Sequence, residues 1–340
     1  MIADLGYAVV VLAALECVLL VALVLLRVQL RRNQRRADQL RPAAELAIAN
    51  YLAADVAVRP ETQSAQRSIW RDVALEAMSD LRGSEQAGLA RLLDELGYVG
   101  EATSDLKSRR RNVRRRGAET LAAIANAEAL EALATGLHDR DVRVRMTCAR
   151  ALAEASGDQQ VPEVAEAVIH DVRAVPGVVA DIVLALGRQH PGALDRLLKP
   201  DAPAVVRSIA LTVIGELRLA QYAPRLRETI GGDEGNLAAA ARGLGLIGDV
   251  EAVPALIDLI ENEDRDPVVR TAAVTALGSI GDPTAVSAIA TLVRHDDWSL
   301  RTAAAQALAG LGRQGRLVLE QAAQSQAEQV REQAEAVLQS

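Results

Sequence analysis

The sequence predicts an all-α chain in which one transmembrane helix precedes an α-solenoid of stacked helix pairs. Three observations carry this prediction: an apolar run of 21 residues near the N-terminus, a composition almost devoid of aromatics, and a helical pattern that returns at a mean of 31 residues.

From Gly6 to Leu26 the chain reads GYAVVVLAALECVLLVALVLL, with Glu16 as its one ionisable side chain. As a helix this run reaches about 31 Å and matches a hydrocarbon core of about 30 Å. Only Asp4 precedes it, whereas Arg27, Arg31, Arg32, Arg35, Arg36 and Arg41 follow. The positive-inside rule therefore places the N-terminus outside and the remainder in the cytoplasm. A cleaved signal peptide would need a basic start and a small-x-small cleavage site, which this segment lacks. Glu16 sits near mid-span, where an ionisable group costs on the order of 3 kcal/mol. Either the surrounding Leu and Val carry it into lipid regardless, or it hydrogen-bonds a partner helix beside the small pair Ala13 and Cys17. Ala13, Glu16 and Cys17 are thus the candidate contact with another transmembrane helix.

The anchor occupies residues 1–27. Residues 28–66 read as an Arg-rich juxtamembrane helix and linker, with a helix from about Pro42 to Ala54 and a break at VAVRPETQSA. Helical periodicity resumes at Arg67, so 67–109 read as divergent capping helices and 110–340 as the repeats.

With no Phe, two Trp and four Tyr, the core has to be built from Ala, Leu, Val and Ile. Sheet faces usually draw on aromatics, whereas Ala and Leu suit closely packed helices and have the highest helix propensity. The 36 arginines against two lysines, Lys107 and Lys199, are the bias of a GC-rich bacterial genome. Charge is polarised: residues 1–116 hold 18 basic and 14 acidic side chains, and 117–340 hold 20 and 31, a net −11. Such a body repels nucleic acid, whose binding rests on neutralised phosphates, while the N-terminal third suits an anionic surface. Cys17 and Cys148 are too few and too far apart in kind to frame a fold by disulfides, which fits reducing surroundings.

The clearest repeat is PVVRTAAVTALGSIGDPTAVSAIATLV, Pro267 to Val293. Val-Arg opens one helix, Ala recurs at spacing three, Leu-Gly closes it and Gly-Asp starts the next. Aligning the arginine gives Arg114, Arg145, Val179, Arg207, Leu237, Arg270, Arg301 and Arg331, at intervals of 28 to 34 residues. Ala149, Ala273, Ala276, Ala304 and Ala307 allow close helix approach, and Leu152, Leu277 and Leu308 fill the layer between. Asn126, Asp158, Asp249 and Asp282 stand where a second helix needs an N-cap. Gly157, Gly248 and Gly281 supply the left-handed turn before it. Asp141, Asp266 and Asp297 precede Arg145, Arg270 and Arg301 by four residues, so each pair is expected to bond across one turn. With Arg207 these form the expected structural ladder along the inter-repeat turns.

On these residues the segment VRTAAVTALGSIGDPTAVSAIATLV resembles the HEAT-like repeats of phycobilisome lyases, over roughly Arg110 to Ser340. The resemblance implies a right-handed α-solenoid of HEAT-type helix pairs that serves as a protein-binding surface. Lyase members attach bilin pigments, but only the repeat supports that here, and the repeat speaks for fold far more than for function.

Catalytic motifs are missing. GLGLIG, Gly243 to Gly248, matches a dinucleotide fingerprint on paper but closes a helix instead of following a strand. GGDEG, Gly231 to Gly235, resembles a diguanylate cyclase signature with a wrong last position. ENEDRD, Glu261 to Asp266, lacks the glycine and bidentate Glu of a calcium loop. His138, His170 and His295 each precede an aspartate at the end of a second helix, too dispersed for a zinc site. No GxSxG, HExxH, CxxC or P-loop occurs. The expectation is a non-enzyme with no metal and no cofactor. Trp70 and Trp298 read as packing residues.

Lys107, Arg109, Arg110, Arg111, Arg115 and Arg116 form the densest charge cluster. They are either a solvated helix end or an anion-binding patch for lipid headgroups or an acidic partner. The functional expectation is a membrane-anchored scaffold or adaptor that binds membrane-associated proteins at the cytoplasmic face. A non-catalytic accessory subunit of a membrane-associated or lyase-like modifying enzyme is the alternative, and a nucleic-acid binder the third.

Overall fold

The computed structural model describes residues 39–52, 64–155, 159–172, 175–232 and 234–339, and no strand occurs among them. The predicted span at 6–26, with Ala13, Glu16 and Cys17, lies outside the described residues, as do the predicted turn residues Gly157 and Asp158. Among the described residues no helix is long and apolar enough to cross a membrane. The chain divides into two compact units, Met1–Ala132 and Leu133–Ser340.

In the first unit, α1 (39–52) is followed by α2 (Ser64–Asp80), α3 (Ser84–Glu95), α4 (Tyr98–Leu106) and α5 (Arg111–Ile124), and α6 (Ala127–Gly136) spans the division. The helix over 39–52 overlaps the one predicted from about Pro42 to Ala54. Gly83 (φ 62°) and Gly97 (φ 76°) make the sharp turns between α2, α3 and α4, a left-handed conformation that costs a glycine least. Leu89, Leu92, Leu93, Ala102, Ala118 and Leu121 are buried, as is Tyr98, the largest fully buried side chain among the described residues. Its hydroxyl donates to Arg67 O at 2.9 Å, and the Arg67 guanidinium lies 4.6 Å from the ring centroid. Arg67 also donates to Glu101 and to Leu96 O, and Arg71 to Asp105. Burial pushes the Tyr98 hydroxyl up to about 12. Asn126 caps α6 as its sequence position predicts, accepting from Ala129 N at 2.8 Å.

The second unit is a solenoid of two-helix layers. Its first helices, α7 (Val142–Ala155), α9 (Pro176–Gln189), α11 (Ala204–Glu216), α13 (Leu237–Ile247), α15 (Pro267–Ile280), α17 (Trp298–Gly310) and α19 (Glu328–Gln339), each pack on the next. The second helices are α8 (Val161–Asp171), α10 (Leu194–Leu197), α12 (Ala223–Ile230), α14 (Val253–Glu261), α16 (Val286–Leu292) and α18 (Gly312–Ala322). Of these α8 touches α10, and α12, α14, α16 and α18 follow one another. Each layer covers its apolar side only with its neighbours, which is what makes the 31-residue pattern visible in sequence.

The row of first helices packs through small residues. Ala149, Ala273, Ala276, Ala304 and Ala307 are buried, and Leu152, Leu277 and Leu308 have no exposed surface. A Cβ on Gly215 would fall 2.6 Å from Gly243 Cα, and one on Gly278 would fall 2.6 Å from Ala307 Cα. These are close approaches to a neighbouring backbone that a side chain at Gly215 or Gly278 would obstruct.

The intra-repeat turns follow the predicted chemistry with one correction. Gly248 (φ 80°) and Gly281 (φ 77°) are left-handed. Asp282 accepts from Thr284 N at 2.8 Å and from the Thr284 hydroxyl at 2.6 Å, and these bonds hold its carboxyl below the usual range. Asp249, predicted as the equivalent cap, makes no side-chain cap bond. Its carboxylate instead meets Arg227 Nε at 3.3 Å, and Arg227 also bonds Glu251. The turn reads Val-Glu where the other reads Pro-Thr, so no hydroxyl competes for Asp249, and the guanidinium on α12 takes it.

Candidate protein-interaction surface

The surface begins with the register of the arginines. Arg114, Arg145, Val179, Arg207, Arg270, Arg301 and Arg331 are each the fourth residue of their helix. Leu237 occupies the same place when the 3-10 turn Glu234–Asn236 that leads into α13 is included. A side chain there points back toward the helix N-terminus, over the turn that closes the preceding layer. The unbonded carbonyls at that turn are acceptors in need of donors.

The arginines satisfy them. Arg114 Nη1 donates to Ser108 O and Arg109 O at 3.1 and 3.2 Å, and Arg145 Nη1 to Asp139 O at 2.5 Å. Arg207 Nη1 donates to Pro200 O and Ala202 O at 3.1 and 2.7 Å. Arg270 Nε and Nη2 both donate to Ile260 O, at 3.1 and 2.9 Å. Arg301 Nη1 donates to His295 O and Asp296 O, at 2.6 and 3.2 Å. Arg331 Nη1 reaches Ser325 O at 3.4 Å. Arg114, Arg270 and Arg301 are buried, and a positive charge beside helix C-termini is also favoured by the dipole. Val179 and Leu237, which replace the arginine, are buried as apolar filling.

The ladder aspartates cap the helices that they precede. Asp141 accepts from Arg143 N at 3.0 Å, Asp266 from Val268 N at 2.7 Å and Asp297 from Leu300 N at 2.8 Å. All three are N-caps, their oxygens engaged with first-turn N–H groups, while the arginines reach backward. Among the described residues Asp266 and Arg270 share no ion pair. The cross-helix acid that does hold a ladder arginine is Asp171 at the end of α8, which receives Arg145 Nε and Nη2 at 2.6 Å each. Sequence reasoning missed this pair, although the recurring His-Asp dipeptide signalled it: residues 138–139, 170–171 and 295–296 supply acceptors to Arg145 and Arg301.

Open grooves accompany the arginines. The one at Arg145, about 600 Å³, is lined by His138, Asp139, Glu163, Glu166, His170 and Asp171. Another at Arg207, about 400 Å³, is lined by Leu198, Pro200, Leu211, Arg225, Glu228 and Asn236. A third at Arg301, about 570 Å³, is lined by Asp296, Trp298, Gln329, Glu332 and Gln333. His138 and His170 thus share a groove despite their distance in sequence, whereas His295 uses Nδ1 to accept from Asp297 N at 3.0 Å. Trp298, predicted as a packing residue, is 68% exposed. As the first residue of α17 it projects off the layer instead of into it. Among the described residues no group of three or more His, Cys, Asp or Glu side chains is placed to hold a metal ion.

The basic cluster lies at the end of α4 and the start of α5. Lys107, Arg109, Arg110, Arg111, Arg115 and Arg116 are all exposed. Arg115 pairs with Glu119 at 2.8 Å and Arg116 with Asp72 at 3.5 Å. Only Arg114 turns inward.

This architecture defines an α-helical repeat protein with solvent-open grooves at its inter-layer edge. Family comparison then names the repeat: the HEAT-repeat profile matches residues 101–187, 191–268 and 262–339, and the chain belongs to the HEAT-repeat family. No curated protein matches it. Among solved structures, the karyopherin Kap121p bound to the extreme C-terminus of the protein phosphatase Cdc14p is similar in fold. Its TM-score is 0.53 at 15% identity, covering 88% of this chain and 39% of that one. Kap121p bound to Nup53p gives 0.54 at 14% identity, with 87% and 39% covered. Kap121p bound to the SUMO protease Ulp1p gives 0.52 at 13% identity, with 90% and 41% covered. The chain therefore spans about two fifths of the karyopherin's length, and the likeness is one of fold.

Proposed function

We propose that this chain is a non-catalytic scaffold that binds protein partners at the cytoplasmic face of a membrane, with residues 6–26 as its anchor. The observation that carries the binding role is the groove at Arg145. Asp139, Glu163, Glu166 and Asp171 line it; Asp171 is held by Arg145 and Glu166 by Arg196, and the remaining surplus of carboxylates suits a cationic, extended segment of a partner protein. The solenoid neighbours were solved with protein segments bound, which supports the same use of the fold. Tethering would add effective concentration toward partners on the same membrane. An accessory subunit of a membrane-associated or lyase-like modifying enzyme would use the same groove, with catalysis on another chain.

The test is affinity capture from detergent extracts with the full chain and with a Glu163→Lys, Glu166→Lys variant, read by mass spectrometry. The reading expects a partner that the wild-type chain retains and the variant loses. Partners unchanged by the variant would remove the groove from the account, and turnover of a substrate by the purified chain would remove the scaffold. Membrane residence is tested separately by carbonate extraction of the full chain and of a chain lacking residues 6–26.

A further inference from the structure

Positive charge in the first unit is collected at one corner, where α4 turns into α5. Residues 107–116 hold seven cationic side chains and no carboxylate, while the rest of 64–132 holds four cations against eleven carboxylates. Two contacts make this corner rigid. Gly117 lets α5 lie against α4, since an added Cβ would fall 2.7 Å from Ala102 O and 2.9 Å from Asp105 Cβ. Arg114 turns inward and donates to Ser108 O and Arg109 O, which ties down the loop between the helices. The other six cations, Lys107, Arg109, Arg110, Arg111, Arg115 and Arg116, are exposed. At about 100° per residue, Arg111, Arg115 and Arg116 fall within an arc of about 140° on α5, away from the buried Arg114, Gly117 and Leu121.

The carboxylates nearest the corner are engaged. Asp105 accepts from Arg71 at 2.9 Å and Glu101 from Arg67 at 2.5 Å. Glu119 holds Arg115, and Asp72 lies beside Arg116. Pairs as exposed as these last two contribute little and yield readily to another anion. Lys107 and Arg110 have no carboxylate partner among the described residues. The corner is thus a fixed, outward display of cations whose chemistry calls for an anionic occupant.

A lipid surface fits better than a nucleic acid. Base stacking needs exposed aromatics, and here Tyr98 on α4 is buried and Trp70 on α2 half-buried. Distance along the chain also favours lipid. The corner belongs to the same compact unit as α1, which an ion pair from Arg41 to Glu76 joins to α2. Twelve residues separate Leu26, the end of the proposed span, from α1, a reach of at most about 43 Å. With residues 6–26 in the bilayer, the corner stays within reach of the headgroups. The carboxylates on the rest of the unit disfavour its other sides against an anionic leaflet, so charge selects the corner.

We propose that the corner between α4 and α5 seats on anionic lipid headgroups, with Lys107, Arg110 and Arg115 among its contacts. This rests on the membrane reading above, adds a lipid chemistry to it, and uses none of the residues of the Arg145 groove. The test places the full chain in vesicles of phosphatidylcholine, alone or with about 30% phosphatidylserine. A fluorophore at Asn112→Cys, an exposed position on α5, reports energy transfer to an acceptor lipid, in a Cys17→Ser background that leaves only the buried Cys148. Transfer is expected to rise about twofold with phosphatidylserine and to return to the neutral-vesicle level at about 0.5 M salt. The combined variant Lys107→Gln, Arg110→Gln, Arg115→Gln is expected to lose most of that rise. Flotation with neutral vesicles tests the anchor separately. A chain that floats there yet shows equal transfer in both lipids, or a rise that salt and the variant leave intact, overturns the seating while the anchor stands. A chain that floats only with anionic vesicles, and there shows the salt-sensitive transfer, removes the anchor and upholds the seating. A corner indifferent to phosphatidylserine that binds a polyglutamate peptide instead belongs to an acidic protein, which also overturns the proposal.

Discussion

Arg145 and Asp171, 26 residues apart, meet through two parallel hydrogen bonds of 2.6 Å while the same guanidinium holds the Asp139 carbonyl. One side chain thus fastens the turn before α7 to the end of α8. The planar fork suits a carboxylate in two-point contact, and the bonds push the Arg145 guanidinium further up from its ordinary value. The carboxylate side is 9% exposed and the guanidinium 23%, so solvent screens the pair only in part. Replacing Asp171 by Ala is expected to destabilise by roughly 2 to 3 kcal/mol, because a half-desolvated charge is left without its acceptor. Urea unfolding followed by circular dichroism measures it; a loss under about 0.5 kcal/mol would show the pair to be incidental.

The division of labour between Asp266 and Arg270 gives a second test. If the aspartate acts as an N-cap, Asp266→Asn changes stability by less than about 0.5 kcal/mol and Asp266→Ala costs about 1 kcal/mol. A direct ion pair would instead make the Asn variant nearly as damaging as the Ala variant. Arg270→Lys is expected to cost about 2 kcal/mol, since one ammonium cannot reproduce the two donors that meet Ile260 O in a buried setting.

Gly278 tests the close helix packing. An added Cβ would lie 2.6 Å from Ala307 Cα and 2.7 Å from Ala307 Cβ, and neither α15 nor α17 can yield without opening the row. Helix propensity alone would make Gly278→Ala stabilising by about 1 kcal/mol. The steric term dominates, so a net loss of about 1 to 3 kcal/mol is expected, again by urea unfolding. Gly100→Ala, where a Cβ meets nothing within 4 Å, is the control and should be neutral or stabilising.

The repeat was legible because its markers are chemically unlike their surroundings. Arginine in an alanine-rich helix and Gly-Asp at a turn keep a visible period, and the arginines fall on the fourth helical residue throughout. The acceptor of each arginine was less legible. Asp266 lies nearer in sequence to Arg270 than Ile260 does, yet the N-cap geometry turns its carboxylate away. Asp249 and Asp282 share their preceding glycine, and only the distant Arg227 separates an ion pair from a cap. Trp298 is exposed as the first residue of α17, two positions before Leu300, which is buried. Local pattern fixes which residues form a layer, while lateral placement of the next helix decides what each polar group meets.

Cys148 and the buried tyrosines make stability fall in alkali, and the sign follows from where the protons sit. Burial in α7 pushes the Cys148 thiol from its ordinary 9.0 up to about 12. Tyr98 and Tyr222 are likewise raised from 10.0 to about 12, chiefly by burial. Unfolding returns each group to its ordinary value. Below about pH 8 all three are protonated in both states and stability is unaffected by them. As pH rises from about 8 toward 12 the unfolded chain loses protons that the folded chain keeps, first from the thiol and then from the tyrosines, so unfolding is favoured progressively. The urea midpoint is therefore expected to decline steadily over that window, and Cys148→Ala to remove the part of the decline that begins near pH 8 while leaving the tyrosine part. The same burial should keep the Cys148 thiol from reacting with a disulfide reagent at pH 8 until urea unfolds α7, since the thiolate is the reactive form. Rapid modification of Cys148 in the native chain, or a midpoint flat from pH 9 to 12, would show that the thiol is not held in the packed interior of the first helices.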